Sequence, residues 1–211
     1  MPTSDTLASG RPAHRTDDRR PRRSSAGSGL ARVAVFAALM AVLGLVPPVP
    51  VAGIPAPIVL QNLAVTLAGV ILGPWRGAAA ILLFNVLVAL GLPLLTGGRG
   101  GLGVFVGPSS GFILGYVVAA AAVGLVFWAL TGRARPGLRP GRVLAAALVA
   151  GLVGMGVLYA AGAGGFIVAA HMEPGAAVLA MGAFVPGDTV KVVLAALLVT
   201  GLWKAYPRAF R

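Results

Sequence analysis

The chain has 211 residues, of which 58% are hydrophobic and only 10% charged, with a mean hydropathy of +0.93. Soluble domains carry about a quarter charged residues, so this composition describes an integral membrane protein. The absence of cysteine excludes a disulfide framework, a thiolate nucleophile and a Cys-based metal site.

Residues 1–29 are polar and basic, with six arginines (Arg11, Arg15, Arg19, Arg20, Arg22 and Arg23), and are expected to form a disordered cytoplasmic tail. The Arg19–Arg23 cluster before an apolar run also fits a twin-arginine or secretory signal, but the run leads into Pro47-Pro48 and further spans instead of a small-residue cleavage site. Six apolar segments follow within residues 30–203: Leu30–Val46, Pro57–Leu72, Trp75–Leu92, Gly111–Leu130, Val143 to about Ala161 with room to run on towards Ala170, and Val185 or Asp188 to Trp203. Each approaches the ~20 residues that a ~30 Å hydrocarbon core requires. Gly73-Pro74, Gly107-Pro108 and Pro186-Gly187 punctuate the joins, and proline suits a first helical turn, where its missing N–H would be unpaired anyway. Residues 204–211 form a second basic tail. The pattern predicts an all-α membrane domain of six spans; the weak ten-residue alternation of a β-barrel is not seen.

The net charge of +12 would suit nucleic acid, but its distribution follows a membrane. With six spans, fifteen of the seventeen basic residues fall on one side: the N-terminal arginines with Arg32, then Arg76, then Arg133, Arg135, Arg139 and Arg142, then Lys204, Arg208 and Arg211. The other side holds Arg99 and Lys191. The positive-inside rule then places both termini in the cytoplasm of a plasma-membrane protein, and no nucleic-acid partner is expected.

The unusual residues gather on the external side. Arg99 sits in T-G-G-R-G-G; glycines let backbone approach a ligand or line a cavity, and a guanidinium there suits a carboxylate or phosphate. An exposed headgroup-level arginine is the plainer alternative. Asp188 and Lys191, in F-V-P-G-D-T-V-K (Phe184–Lys191), stand three residues apart and share a helix face. Their plain roles are an N-cap for Asp188 and snorkelling to the surface for Lys191, yet ionisable residues within a span mark function by default. Asn85 in the third span, and Gln61 with Asn62 at the external end of the second, could read a polar ligand or bond between helices. Tyr116 and Tyr159 read as packing residues, and His171 with Glu173 as loop residues, too few for a metal site. Small-residue spacing marks Ala34/Ala38 and Ala37/Ala41 on the first span as a candidate partner-docking face, and Gly103, Gly107, Gly111 and Gly115 recur every four residues into the fourth. No phosphate loop, Ser-His-acid set or carboxylate pair is present, so no enzyme activity, metal or cofactor is expected.

Three stretches together, P-A-P-I-V-L-Q-N-L-A-V-T-L-A-G-V-I-L-G-P-W-R-G (Pro55–Gly77), G-L-P-L-L-T-G-G-R-G-G-L-G-V-F-V-G-P-S-S-G-F-I-L-G-Y (Gly91–Tyr116) and F-V-P-G-D-T-V-K, resemble the BioY family. These are the biotin-specific substrate-binding subunits (S components) of energy-coupling factor (ECF) transporters. The resemblance covers about residues 30–203. It implies a six-helix S-component fold, biotin as the ligand, and delivery through a transmembrane scaffold subunit driven by two ATPase subunits. It makes Arg99 and Lys191 candidates for the biotin carboxylate and Asp188 and Asn85 candidates for the ureido ring, with Gln61 a further candidate. The chain departs from the family at Val59, where threonine is frequent, and at Ser109-Ser110-Gly111, where Thr-Gly-Gly is common. The alternatives are the same fold with another anionic vitamin, a stand-alone proton-coupled transporter using Asp188, and a structural subunit without ligand.

Overall fold

In a computed structural model, which describes residues 25–133 and 137–210, the apolar segments become helices α1 (Ser25–Gly44), α2 (Asn62–Leu72), α3 (Pro74–Ala89), α4 (Ser110–Thr131), α5 (Pro140–Ala169), α6 (Pro174–Met181) and α7 (Val185–Ala205). Short 3₁₀ turns occupy Leu102–Phe105, Gly182–Phe184 and Pro207–Phe210. No sheet forms among the described residues; Val49 pairs with Ile58 and Leu95 with Arg99 as isolated antiparallel bridges. Large apolar side chains including Val35, Leu82, Leu114, Leu152 and Leu197 point outward. Such a surface belongs in lipid, where no water competes for it. α1, α4, α5 and the stretch from α6 through α7 are long and apolar enough to cross a membrane.

α2 is the axis of the bundle. Seven of its eleven residues are buried, and it packs against α1, α3, α4, α5 and α7. Gly73 adopts a positive φ of 80°, which makes the sharp turn from α2 into α3, and Pro74 opens α3. The closest crossing is α4 on α5. A side chain at Gly111 would run into the backbone of Ala161 and Gly165, and one at Gly115 into the Ala161 methyl. Gly103 and Gly107, earlier in the same four-residue pattern, make no such contact.

Three boundaries differ from the sequence expectation. α1 begins at Ser25, so the last residues of the segment read as tail are helical; Gly29 lies against the guanidinium of Arg76, which gives that first turn something to pack on. Residues 1–24 of that tail lie outside the described residues. The second span starts at Asn62, because Pro57 to Gln61 belong to the folded-back first loop. Before α7 stands α6, opened by Pro174 and capped by Glu173, whose carboxylate accepts the Ala176 N–H at 2.9 Å. The backbone N–H groups of Gly175 and Ala176 hold that carboxyl below its ordinary range.

Candidate functional site

One end of the bundle collects the polar residues. There the first loop doubles back through the Val49–Ile58 pair (3.0 and 2.9 Å). The third loop makes a tight hairpin, Leu95 N–H to the Arg99 carbonyl at 3.0 Å and Arg99 N–H to the Leu95 carbonyl at 3.2 Å. Gly97 and Gly98 form its tip with φ of 80° and 69°, a left-handed conformation that side chains with a Cβ resist. Arg99 is therefore carried on a short, fixed support. It is exposed; its Nε donates to the Thr96 carbonyl at 3.4 Å, and its terminal nitrogens have no partner among the described residues.

Gln61 builds that support. Its Nε2 donates to the carbonyls of Met40 and Leu94, both at 3.1 Å. Its Oε1 accepts the Thr96 N–H at 3.2 Å and the Thr96 hydroxyl at 2.9 Å. Two donors and two acceptor positions are thus all engaged, tying the end of α1 and the Arg99 hairpin to the head of α2. The Gln61 side chain borders the cavity next to Arg99, but its polar atoms are committed to holding the loop.

Asp188 and Lys191 do not take their plain roles. α7 starts at Val185, which leaves Asp188 inside the first turn and not at the cap. Lys191, one turn further, is buried instead of reaching the surface. Lys191 Nζ donates to Asp188 Oδ1 at 2.6 Å. Tyr159 of α5 donates its hydroxyl to Asp188 Oδ2 at 3.1 Å, and Asn62 Nδ2 lies 3.4 Å from Oδ1. A desolvated ion pair is stable only when such extra hydrogen bonds offset the lost hydration. Asn85 Nδ2 donates to the Ile113 carbonyl at 2.9 Å. The Oδ1 atoms of both Asn62 and Asn85 are buried with no partner among the described residues, and each unpaired acceptor costs about 1–3 kcal/mol.

Two cavities meet at Asn62. The first is lined by Arg99, Gln61, Asn62, Tyr116, Phe112 and Phe184 among others. Phe112 packs on Phe184 and Phe166 at 5.6 and 5.8 Å between centroids, which makes its floor apolar and rigid. The second is bordered by Asn62, Thr66, Met155, Asp188 and Lys191. Arg99 and Lys191 therefore face different cavities, and it is Asp188, not Arg99, that Lys191 touches. Thr96 and the aromatic floor were not singled out from the sequence, and Tyr159 was read there as a packing residue, whereas its hydroxyl donates to Asp188. Tyr159 stands 29 residues from Asp188, and no local spacing signals that contact.

A sequence model of the BioY family matches residues 17–208. The chain belongs to the BioY family. Among BioY proteins, the biotin transporter BioY of Rhodobacter capsulatus is 44% identical over 186 residues, covering 84% of this chain and 94% of that protein. The biotin transporter BioY of Rhizobium etli is 41% identical over 179 residues, with the same coverage of 84% and 94%. The probable biotin transporter BioY of Bacillus subtilis is 39% identical over 173 residues, 82% of this chain and 89% of its own length. The fold matches the crystal structure of the S-component for biotin from an ECF-type ABC transporter with a TM-score of 0.76. The two are 28% identical, and the match covers 85% of this chain and 92% of the other. This BioY chain thus has the all-helical membrane architecture of a transporter's substrate-binding component.

The small-residue faces of α1 divide. Ala34 and Ala38 are exposed, whereas Ala37 is buried and Ala41 partly so. Only the first pair is open to a partner; the second serves packing within the bundle, where a small side chain lets α1 approach its neighbours.

Proposed function

We propose that this chain captures biotin at the external face of the plasma membrane and delivers it as the non-catalytic S component of an ATP-driven ECF transporter. It would work with a transmembrane scaffold subunit and two ATPase subunits. The observation that carries the reading is a buried Asp188–Lys191 pair beside Asn62, whose buried Oδ1 is unpaired among the described residues, as is that of Asn85 on α3. A urea offers two N–H donors and one carbonyl. Asp188 and the asparagine oxygens supply acceptors, and Lys191 supplies a donor. The aromatic floor of the first cavity suits an apolar ring and chain, and Arg99 at its rim suits the terminal carboxylate. In this reading Lys191 serves the ureido end together with Asp188, and Arg99 takes the carboxylate.

Equilibrium binding of labelled biotin to the purified protein tests this. Asp188→Asn and Lys191→Ala should each weaken binding by at least about thirtyfold, since each leaves a buried partner uncompensated. Arg99→Gln, which spares the ion pair and every buried hydrogen bond, should also lose affinity while the thermal midpoint stays near wild type; Asn85→Ala should lose affinity together with some stability, because it also removes the buried bond to the Ile113 carbonyl. Unchanged biotin affinity in all four variants would sink the reading, and displacement by a different anionic vitamin alone would redirect it.

A further inference from the structure

The opposite end of the bundle carries a groove that biotin capture does not use. It is lined by Arg32, Ile71, Leu72, Trp75, Arg76, Trp128 and Phe210. Its walls are fixed. The indole of Trp128 lies against the Gly73 turn so closely that no side chain fits there. Arg133 stacks over the same indole with its guanidinium carbon 5.5 Å from the centroid. Phe210 is buried against Trp203, 5.2 Å between centroids, and closes the groove from below.

The cations at this end are not equivalent. Arg142 is occupied, donating to the Leu130 carbonyl at 3.2 and 3.0 Å, and Arg133 is stacked on Trp128. Arg76 is exposed and makes no hydrogen bond or ion pair among the described residues. Arg32 borders the same space from α1. Beside them Trp75 is 71% exposed, the placement of an aromatic at a membrane–water interface. The acids among the described residues, Glu173 and Asp188, are both at the far end of the molecule. The groove thus offers the open Arg76 guanidinium, an apolar wall and an interfacial position. Basic pockets between helices on the cytoplasmic side are suited to anionic headgroups.

We propose that this groove is a binding site for one anionic phospholipid, its phosphate held by Arg76 and Arg32 and its acyl chains laid along Trp75 and Ile71. The inference does not rest on the biotin reading, because it uses neither its residues nor its end of the bundle.

Native mass spectrometry of the full-length protein in neutral detergent tests it, titrating phosphatidylglycerol against phosphatidylcholine of matched chains. Wild type should retain one phosphatidylglycerol in preference to phosphatidylcholine. Arg76→Gln should lower phosphatidylglycerol affinity about fivefold, and Arg32→Gln by a similar factor, roughly one basic contact each, with phosphatidylcholine retention unchanged. Both substitutions are at the rim, and thermal melting checks that each variant is folded. Equal retention of the two lipids, or phosphatidylglycerol affinity unmoved by either substitution, would overturn the proposal. So would phosphatidylglycerol binding that appears only in an Asp5→Asn/Asp17→Asn/Asp18→Asn variant, which would assign the groove to the chain's own N-terminal acids.

Discussion

At the residue scale, Gln61 and Arg99 share one cavity and do different work. Gln61 spends its four hydrogen-bonding positions on Met40, Leu94 and Thr96, whereas the terminal nitrogens of Arg99 stay open to a ligand. Gln61→Leu keeps the volume but strands buried partners, at about 1–3 kcal/mol each. Differential scanning fluorimetry should show a clear drop in midpoint, accompanied by weaker biotin binding as the Arg99 hairpin loosens. Arg99→Gln should lower affinity at an unchanged midpoint. If Gln61→Leu kept the wild-type midpoint and lost only affinity, Gln61 would be a direct ligand contact. The chemistry at stake was readable beforehand: an acid and a base in an otherwise uncharged run, and an arginine framed by glycines. What the residue types could not reveal was pairing. That Lys191 meets Asp188 and faces a different cavity from Arg99 depends on how α2 lies between α4 and α7. Likewise, the commitment of Gln61 depends on a loop 35 residues away.

At the element scale, the long apolar runs were legible because lipid demands them, and α3, α4, α5 and α7 fall close to their expected limits. α6 was not, although its start is written in Glu173-Pro174: an acid that caps and a proline that opens a helix. Its eight residues are too few to register as a span, and the following Pro186-Gly187 resembled a break. Instead, helical structure continues through the 3₁₀ turn into α7, with Pro186 in the first turn, where its missing N–H costs nothing. The four-residue glycine pattern was also legible but misleading in extent, because only Gly111 and Gly115 lie at the α4–α5 crossing. Gly111→Ala should therefore destabilise by about 1–3 kcal/mol, since the neighbours it would strike are backbone atoms that cannot yield. Gly103→Ala, with nothing within 4 Å, should be neutral. Equal thermal midpoints for the two variants in detergent would show that the crossing tolerates a wider spacing.

At the scale of the whole molecule, helix lengths and charge have to agree on one placement in the bilayer. α2 and α3, with 11 and 16 residues, reach about 17 and 24 Å at 1.5 Å per residue, short of a ~30 Å core. The first and third loops fill the missing depth at the end that holds Arg99, Asp188 and Lys191. Irregular backbone is tolerable at that depth only when it is buried in protein or lines a cavity. The two folded-back loops meet that condition: Gln61 and the bridge pairs satisfy much of their backbone, and both border the first cavity. The opposite end presents Arg76, Arg133, Arg142 and Lys204, which the positive-inside rule assigns to the cytoplasm. We propose six crossings, with α6 and α7 sharing the last and both termini inside. The chain has no cysteine, so single replacements report without background. Val106→Cys, at a position 77% exposed in the third loop, should react with a membrane-impermeant maleimide in intact cells. Lys204→Cys, at the far end of α7, should react only after the membrane is opened. The reverse pattern would invert the molecule and put the proposed ligand cavity on the wrong side for uptake. Labelling of both positions in intact cells would require an even number of crossings between them, whereas the path through α4, α5 and the α6–α7 stretch makes three.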